Sequence, residues 1–546
     1  MKKLNYFFYL FLFLGLSLHA QSECEEEVKE EILLIGDSWA FFMNFDATFD
    51  IILPKWGHTN KTYYTNSILA ENGATLVDFL TQERLDEIEF QLQERPDIKT
   101  VHLSLGGNDF LQNWNINFSD AETEDLKNSV ISNLNSLISS IKSFQPGIQI
   151  VWSGYTYTNF EEIISTAFIP AVHPFHSTWQ NMGFPDSQTL NELQNDFSAS
   201  IQTIIEADDQ LSYVSATGLM QYVFGQEEPL EVAPFGTYEA LEAPLPTGFV
   251  NYPSPQASMR DYVVFLDCFH LSGLGYQAFI DYQMQKHYHK ALMDDAILIA
   301  NQSGLNGSVT NSTTLENELI VGNFDATEHK TILHFETEDV LEFNTAKAEL
   351  FLSIQEHSEN LEDLNFKVEV TSGFFGSDEG LAIDDYDFSA QATAEVCYFG
   401  EVENNHWLKL SLAEELLEFI NHQNQTQIRL SLVENSDSYV VFNSTDDEEF
   451  APVLNITYGD EPSFSVVGST AQKFKVYPNP TTSKLYFTSE SNLNQGFEVS
   501  VYSSNGQKMK PLINKNEIDL SHFPNGIYIL HIRNNEQTFQ HKIIKE

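Results

Sequence analysis

Cysteine is scarce in this chain: Cys24, Cys268 and Cys397 are the only three in 546 residues. An odd trio without paired metal-ligand spacing excludes a disulfide framework and a structural zinc site. A Cys24–Cys268 bridge stays open in an oxidising compartment, subject to an approach of the two Cα atoms that sequence separation does not reveal. Basic residues are also few, 27 against 79 acidic, which leaves a formal net charge of -52. That field repels phosphate backbones and anionic lipid surfaces, so nucleic acid is excluded as a partner and polyanionic substrates are disfavoured. A neutral ester or glycan meets no such barrier, and much of the acidity is a solvated surface. Apolar runs long enough to span a bilayer are missing, which excludes a stable membrane span.

Apolar material for packing is plentiful, with 42% hydrophobic and 13% aromatic residues, so overall disorder is excluded. The length exceeds what one core serves, and two to four domains are expected. Lys2 and Lys3, the apolar run Tyr6 to Leu18 and the small Ala20 before Gln21 read as a secretory signal over 1–20. The run is short for a membrane anchor, and no lipobox cysteine follows it.

From 30 to 300 short apolar runs alternate with amphipathic stretches, the pattern of an α/β domain with a parallel sheet. Ile32 to Ile35, Val101 to Leu105 and Ile148 to Trp152 read as buried strands. Leu126, Val130, Leu134 and Leu137 put one apolar face on a helix over Glu122 to Phe144, stopped by Pro146-Gly147. Residues 301–313, rich in Asn, Ser and Gly, read as a linker. Period-two runs over 314–460, at 347–354, 366–370, 428–432, 439–442 and 453–458, predict an antiparallel β-sandwich with one helix near Leu412 to Asn421. Residues 473–546, rich in Lys and Asn, form a distinct small β unit.

Four blocks carry the chemistry. Gly36-Asp37-Ser38-Trp39 leaves the first strand and puts a serine where open α/β sheets bind ligands. Taken alone it is equally a turn and helix cap. Gly73 sits in a loop, where a glycine lets its N–H approach a substrate or merely serves a positive φ. Gly106-Gly107-Asn108-Asp109 ends the strand Val101 to Leu105; an amide there can donate to a developing oxyanion, or form an ordinary Asn-Asp turn. Asp267-Cys268-Phe269-His270 places a carboxylate three residues before an imidazole, the pair a nucleophilic serine needs, or else a capping loop with a surface histidine.

In this order the four blocks resemble the SGNH hydrolase superfamily, the GDSL-type esterases and lipases, over Ile32 to about Tyr288. The resemblance implies a flavodoxin-like three-layer α/β/α domain with Ser38 as nucleophile, His270 as general base and Asp267 orienting His270. It also implies oxyanion donors from the backbone N–H of Ser38 and Gly73 and the side chain of Asn108. Asp37 and Asp109 would be structural supports. Trp39 stands where many members have Leu or Ile, and is expected to shape the pocket. Neither a metal nor an organic cofactor is implied. His173 and His176 have a spacing that suits a metal, but a third ligand is missing. Two long insertions, 155–186 and 221–259, either wall the pocket or form a packed cover.

The close of the middle region, Tyr439 to Phe442 and Ala451 to Tyr458, resembles the DNRLRE-type β-sandwich modules over Thr314 to Gly459, some of which bind polysaccharide. Asp446, Asp447, Glu448 and Glu449 form either a calcium site or a solvated loop. Val476-Tyr477-Pro478-Asn479-Pro480, Asn525-Gly526-Ile527-Tyr528 and the closing Lys542-Ile543-Ile544-Lys545 resemble the C-terminal sorting domain of type IX secretion substrates. The expected protein is a serine esterase exported through the periplasm to the surface or outside by the type IX machinery. Its substrate is an ester, with deacetylation of a polysaccharide favoured. The alternatives are a lipase or phospholipase using the same residues, and a non-catalytic exported glycan-binding or adhesion protein.

Overall fold

The computed structural model describes residues 28–225, 230–232, 236–238 and 248–545, apart from 339, 341–344, 359–363, 377–378, 399–401, 421–424, 434–437, 448, 460–473, 478, 480, 490–497, 504–507, 515–516 and 534–537. The signal segment 1–20, Cys24 and Glu448 lie outside the described residues. The chain divides into two units, Met1–Leu292 and Met293–Glu546.

The first unit is built on five parallel strands: β1 (Lys29–Gly36), β2 (Lys61–Tyr64), β3 (Thr100–Ser104), β4 (Gln149–Ser153) and β5 (Leu211–Val214). Their order is β2-β1-β3-β4-β5, the flavodoxin-like arrangement. Strand addition reverses between β1 and β3, and a doubly wound sheet opens its crevice at that reversal, beyond the carboxyl ends. Ile32 to Ile35 are fully buried, as consecutive apolar residues must be in a sheet covered on both faces. One covering helix, Asp120–Phe144, starts at a Ser119–Glu122 capping box and buries Val130, Leu134, Leu137 and Ile141.

This unit also buries histidines. On β3, His102 is wholly enclosed, with Nδ1 2.7 Å from the Tyr288 hydroxyl. His58 Nε2 lies 3.2 Å from His289 Nδ1, and both rings are buried. Burial pushes His102 and His289 down to about 3 and His287 to about 4, so all three are neutral near pH 7.

In the second unit the antiparallel sandwich strands include Thr345–His357, Leu364–Ser372, Gln425–Leu432, Tyr439–Phe442 and Val453–Tyr458, packed on a core that includes Leu350, Phe366, Ile428 and Ile456. The expected helix at 412–421 is a single turn, Glu414–Leu417, with Leu416 and Ile420 buried against that core. Two segments depart from the sequence-based boundaries. Ala296–Ile299, assigned to the first domain by the alternating pattern over 30–300, pairs antiparallel with Val453–Ile456 in the second unit. Gly307–Val309, inside the expected linker, is a strand pairing with both Thr314–Glu316 and Lys330–Ile332. A Cβ on Gly307 would stand 2.2 Å from the Leu315 carbonyl, so the glycine that suggested looseness permits close strand contact. In the acidic stretch, Asp447 caps its own turn by accepting from the Glu449 N–H at 3.0 Å. The tail folds as two four-stranded antiparallel sheets over Leu485, Val501, Ile518, Leu530 and Ile543.

Candidate active site

Gly36 ends β1 with no room for a side chain: a Cβ would lie 2.4 Å from the Ser104 carbonyl on β3. The chain then turns into the helix Ser38–Phe45, capped by Asp37, whose Oδ1 accepts from the Trp39 N–H at 2.9 Å. Ser38 is the first helical residue, so its own N–H has no carbonyl partner within the helix. Its side chain is 6% exposed at the carboxyl end of β1.

His270 arrives from 232 residues away, on the strand Phe265–Leu271, and its Nε2 lies 2.6 Å from Ser38 Oγ. On the other side of the ring, Nδ1 is 2.8 Å from Asp267 Oδ2. The second Asp267 oxygen accepts the backbone N–H groups of Phe269 and His270, each at 3.0 Å, so the carboxylate is held by the backbone of its own strand segment rather than by the loop the sequence predicted. A carboxylate only accepts, which puts the imidazole proton on Nδ1 and leaves the Nε2 lone pair for the serine hydroxyl. The ring is packed by Phe42, with centroids 4.9 Å apart, and the Arg260 guanidinium lies 4.1 Å over Phe42. Arg260 is itself paired with Asp46.

The loops expected to supply oxyanion donors are stapled together. Asn108 Nδ2 donates to the Ala74 carbonyl at 3.0 Å, and Asp109 Oδ2 accepts from the Leu76 N–H at 3.0 Å. One hydrogen of the Asn108 amide is therefore committed, and the amide carries a second. Burial raises the Asp109 carboxyl above its ordinary range, with the Leu76 N–H opposing it. Gly73 has φ +80, is exposed, and lies off the cavity wall that carries Ser38 and Asn108.

Asp37 does more than cap. Its Oδ2 accepts the Tyr155 hydroxyl at 2.7 Å, and that same hydroxyl accepts from the Gly107 N–H at 3.2 Å. Burial pushes the Asp37 carboxyl up to about 6 against the bonds it accepts from the Trp39 N–H and the Tyr155 hydroxyl, and raises the Tyr155 phenol well above its ordinary value. Tyr155 thus joins the serine loop to the Gly107 loop, a role the sequence did not suggest. Tyr155→Phe leaves Asp37 Oδ2 and the Gly107 N–H without that partner. It is expected to lower the unfolding free energy by about 1–3 kcal/mol, read as a lower urea midpoint at unchanged slope. An unshifted midpoint would show that the bridge does not hold these loops.

Beside Ser38 opens an apolar cavity of about 110 Å³. Trp39 lines it, its indole N–H donating to the Phe269 carbonyl at 3.1 Å. Phe110 and Leu111 form one wall, and Leu190, Leu193 and Phe197 of the helix Ser187–Ile205 form another. Of the insertions, Tyr155, Thr156 and Thr158 reach the cavity. His173 spends Nε2 on the Leu266 carbonyl at 3.1 Å and accepts the Phe175 N–H on Nδ1 at 3.3 Å, so both ring nitrogens serve the backbone. Cys268, between Asp267 and His270, is a buried free thiol whose ionisation burial pushes up, which keeps it protonated.

Residues 475–546 match the family described as the secretion system C-terminal sorting domain. The chain therefore ends in an export address of the type IX system and is destined for the cell surface or beyond. No curated protein matches the chain. Among solved structures it is similar to a Clostridium thermocellum family 3 carbohydrate esterase, at 15% identity over 48% of this chain and 98% of that one, TM-score 0.26. It is also similar to a GDSL-like lipase from Bacteroides thetaiotaomicron, at 13% identity over 47% and 87%, TM-score 0.26. A third is the periplasmic domain of a lipopolysaccharide acetyltransferase from Salmonella ser. Paratyphi A, at 15% identity over 48% and 85%, TM-score 0.27. No helix of the described residues is long and apolar enough to cross a membrane.

Proposed function

We propose that this chain is an exported serine hydrolase of carboxylic esters, working through an acyl-enzyme at Ser38. The observation that carries the reading is the unbroken line Ser38 Oγ, His270, Asp267, with links of 2.6 and 2.8 Å. Ser38 attacks the ester carbonyl while His270 takes its proton and returns it to the leaving alcohol; water then repeats the sequence to release the acid. Asp267 holds the ring and stabilises its charged form. The developing oxyanion is received by the N–H of Ser38 at the helix start and the remaining hydrogen of the Asn108 amide, with Gly73 as a third donor. Asp37 and Asp109 keep those loops in register.

An active-site phosphonate tests this directly: it should label Ser38 stoichiometrically and abolish p-nitrophenyl ester turnover. Turnover that survives full labelling sinks the reading.

The favoured alcohol portion is a polysaccharide, on the strength of the closing pattern of the middle module and of an acidic chain that meets no repulsion from neutral glycans. A lipid ester is the second reading, favoured by one observation. Val263 and Val264 are 91% and 81% exposed at a hairpin tip, and Val263 holds φ +61, a costly conformation for a β-branched residue. The hairpin's Tyr262 packs 5.6 Å from Phe175, whose ring in turn faces His270 at 6.4 Å. Release of short acid from acylated glycan against release of fatty acid from lipid dispersions separates the two.

A further inference from the structure

We propose that the cavity beside Ser38 is an acyl subsite built for an apolar acyl group of about four to six carbons rather than for acetyl. This rests on the serine-esterase reading and adds to it the part of the substrate that the triad leaves open.

Leu190, Leu193, Gln194 and Phe197 recur at helical spacing on the helix Ser187–Ile205, so one face of that helix lines the cavity. Phe110 and Leu111 line it from the helix Gly107–Asn113, the same helix that carries Asn108. Leu190, Leu193, Phe110 and Leu111 are only half-buried, so an occupying alkyl chain would remove apolar surface from water on both walls. The Gln194 amide is turned away to the Tyr155 carbonyl, the Tyr155 hydroxyl is bonded to Asp37, and Thr156 and Thr158 are the other hydroxyl-bearing contributors besides Ser38. Charge is confined to Asp37, whose carboxyl oxygens are taken by Trp39 and Tyr155.

Size then selects among acyl groups. A dry apolar cavity of about 150 Å³ accommodates benzene, and a water takes a share of about 30 Å³. At about 110 Å³, with one side open to solvent, the space exceeds what one methyl fills, and carbons beyond about six would extend outside it and gain no further burial. Each buried methylene is worth about fourfold in an equilibrium or rate ratio.

The experiment compares kcat/KM for acetyl, butanoyl, hexanoyl and decanoyl p-nitrophenyl esters on the full chain. The expected profile climbs about fourfold per methylene from acetyl to butanoyl or hexanoyl, then gains nothing further at decanoyl. Leu193→Trp fills the cavity and should lower butanoyl and hexanoyl turnover about tenfold or more relative to acetyl turnover. Leu111→Phe, from the opposite wall, should shift the profile the same way, and phosphonate labelling of Ser38 reports that each variant is folded. An acetyl ester turned over fastest, with both variants leaving the profile unmoved and labelling normal, overturns the acyl subsite and leaves the esterase standing. Failure of the wild-type chain to cleave or label with any member of the series removes the esterase reading and the subsite with it.

Discussion

Ser38→Ala is expected to lower kcat for ester hydrolysis by roughly three to six orders of magnitude, with KM and the thermal midpoint close to those of the parent chain. The size follows from the arrangement. Under the proposed mechanism His270 Nε2 loses its proton donor once Oγ, 2.6 Å away, is gone, and Asp267 then orients a base with nothing to deprotonate. Members of such a set act as one unit, so removing the nucleophile costs nearly as much as removing all three, and the residue that survives reflects binding and oxyanion stabilisation. Stability should hold because a single oxygen at the first turn of an eight-residue helix is lost, while the cap from Asp37 remains. Steady-state kinetics on purified protein, paired with a melt, reads both quantities. A variant within tenfold of wild type would place the chemistry elsewhere.

Acid should unfold the first unit, and the histidines set the window. In the folded chain His102 and His289 titrate near 3 and His287 near 4, whereas an exposed imidazole titrates near 6.5. Between those values the unfolded chain binds more protons, so stability is fully present above about pH 6.5 and is lost as pH falls toward 4. At pH 5 each ring contributes a loss of about 2 kcal/mol relative to pH 7, or about 6 kcal/mol for the three. Asp37 opposes this. Its folded value of about 6 lies above the ordinary aspartate value of 3.8, so acidification relieves a burial penalty and returns about 1 kcal/mol over the same interval. A net loss of about 4–5 kcal/mol between pH 7 and 5 is a large share of a typical domain's stability. Urea unfolding followed through the tryptophans Trp39, Trp56, Trp114, Trp152 and Trp179 of this unit, across that range, measures it. His289→Asn should flatten part of the dependence. A midpoint independent of pH between 7 and 5 would show that the rings are not buried neutral.

Local patterns carried much of this molecule into its sequence. Ile32 to Ile35 announces a doubly covered strand because four consecutive apolar residues suit a sheet covered on both faces, and the alternation of short runs with amphipathic stretches announces the parallel sheet; the strand order was legible only through the family resemblance. The Asp267–His270 link, which the sequence offered beside a capping loop, spans only three residues, and the structure sets both on the one strand Phe265–Leu271. Contacts between distant segments left no such trace. Tyr155 meets Asp37 across 118 residues, and Arg260 meets Asp46 across 214, with no periodicity to betray either. Pattern and composition misled at the boundary. Ala296–Ile299 is an ordinary short apolar strand whose partner, at Val453–Ile456, is a property of the second unit's register and not of its own residues. The Asn-, Ser- and Gly-rich segment beyond it looked like slack chain because glycine serves tight strand contact and loose linkers equally well, as Gly307 does here.

Ser38 Oγ and His270 Nε2 close a loop of 232 residues, most of the first unit. Under the proposed mechanism a chain still lacking its stretch near 270 holds a hydroxyl without a base. Ester turnover would then report that these two distant stretches have been brought together, a readout of assembly that needs no label.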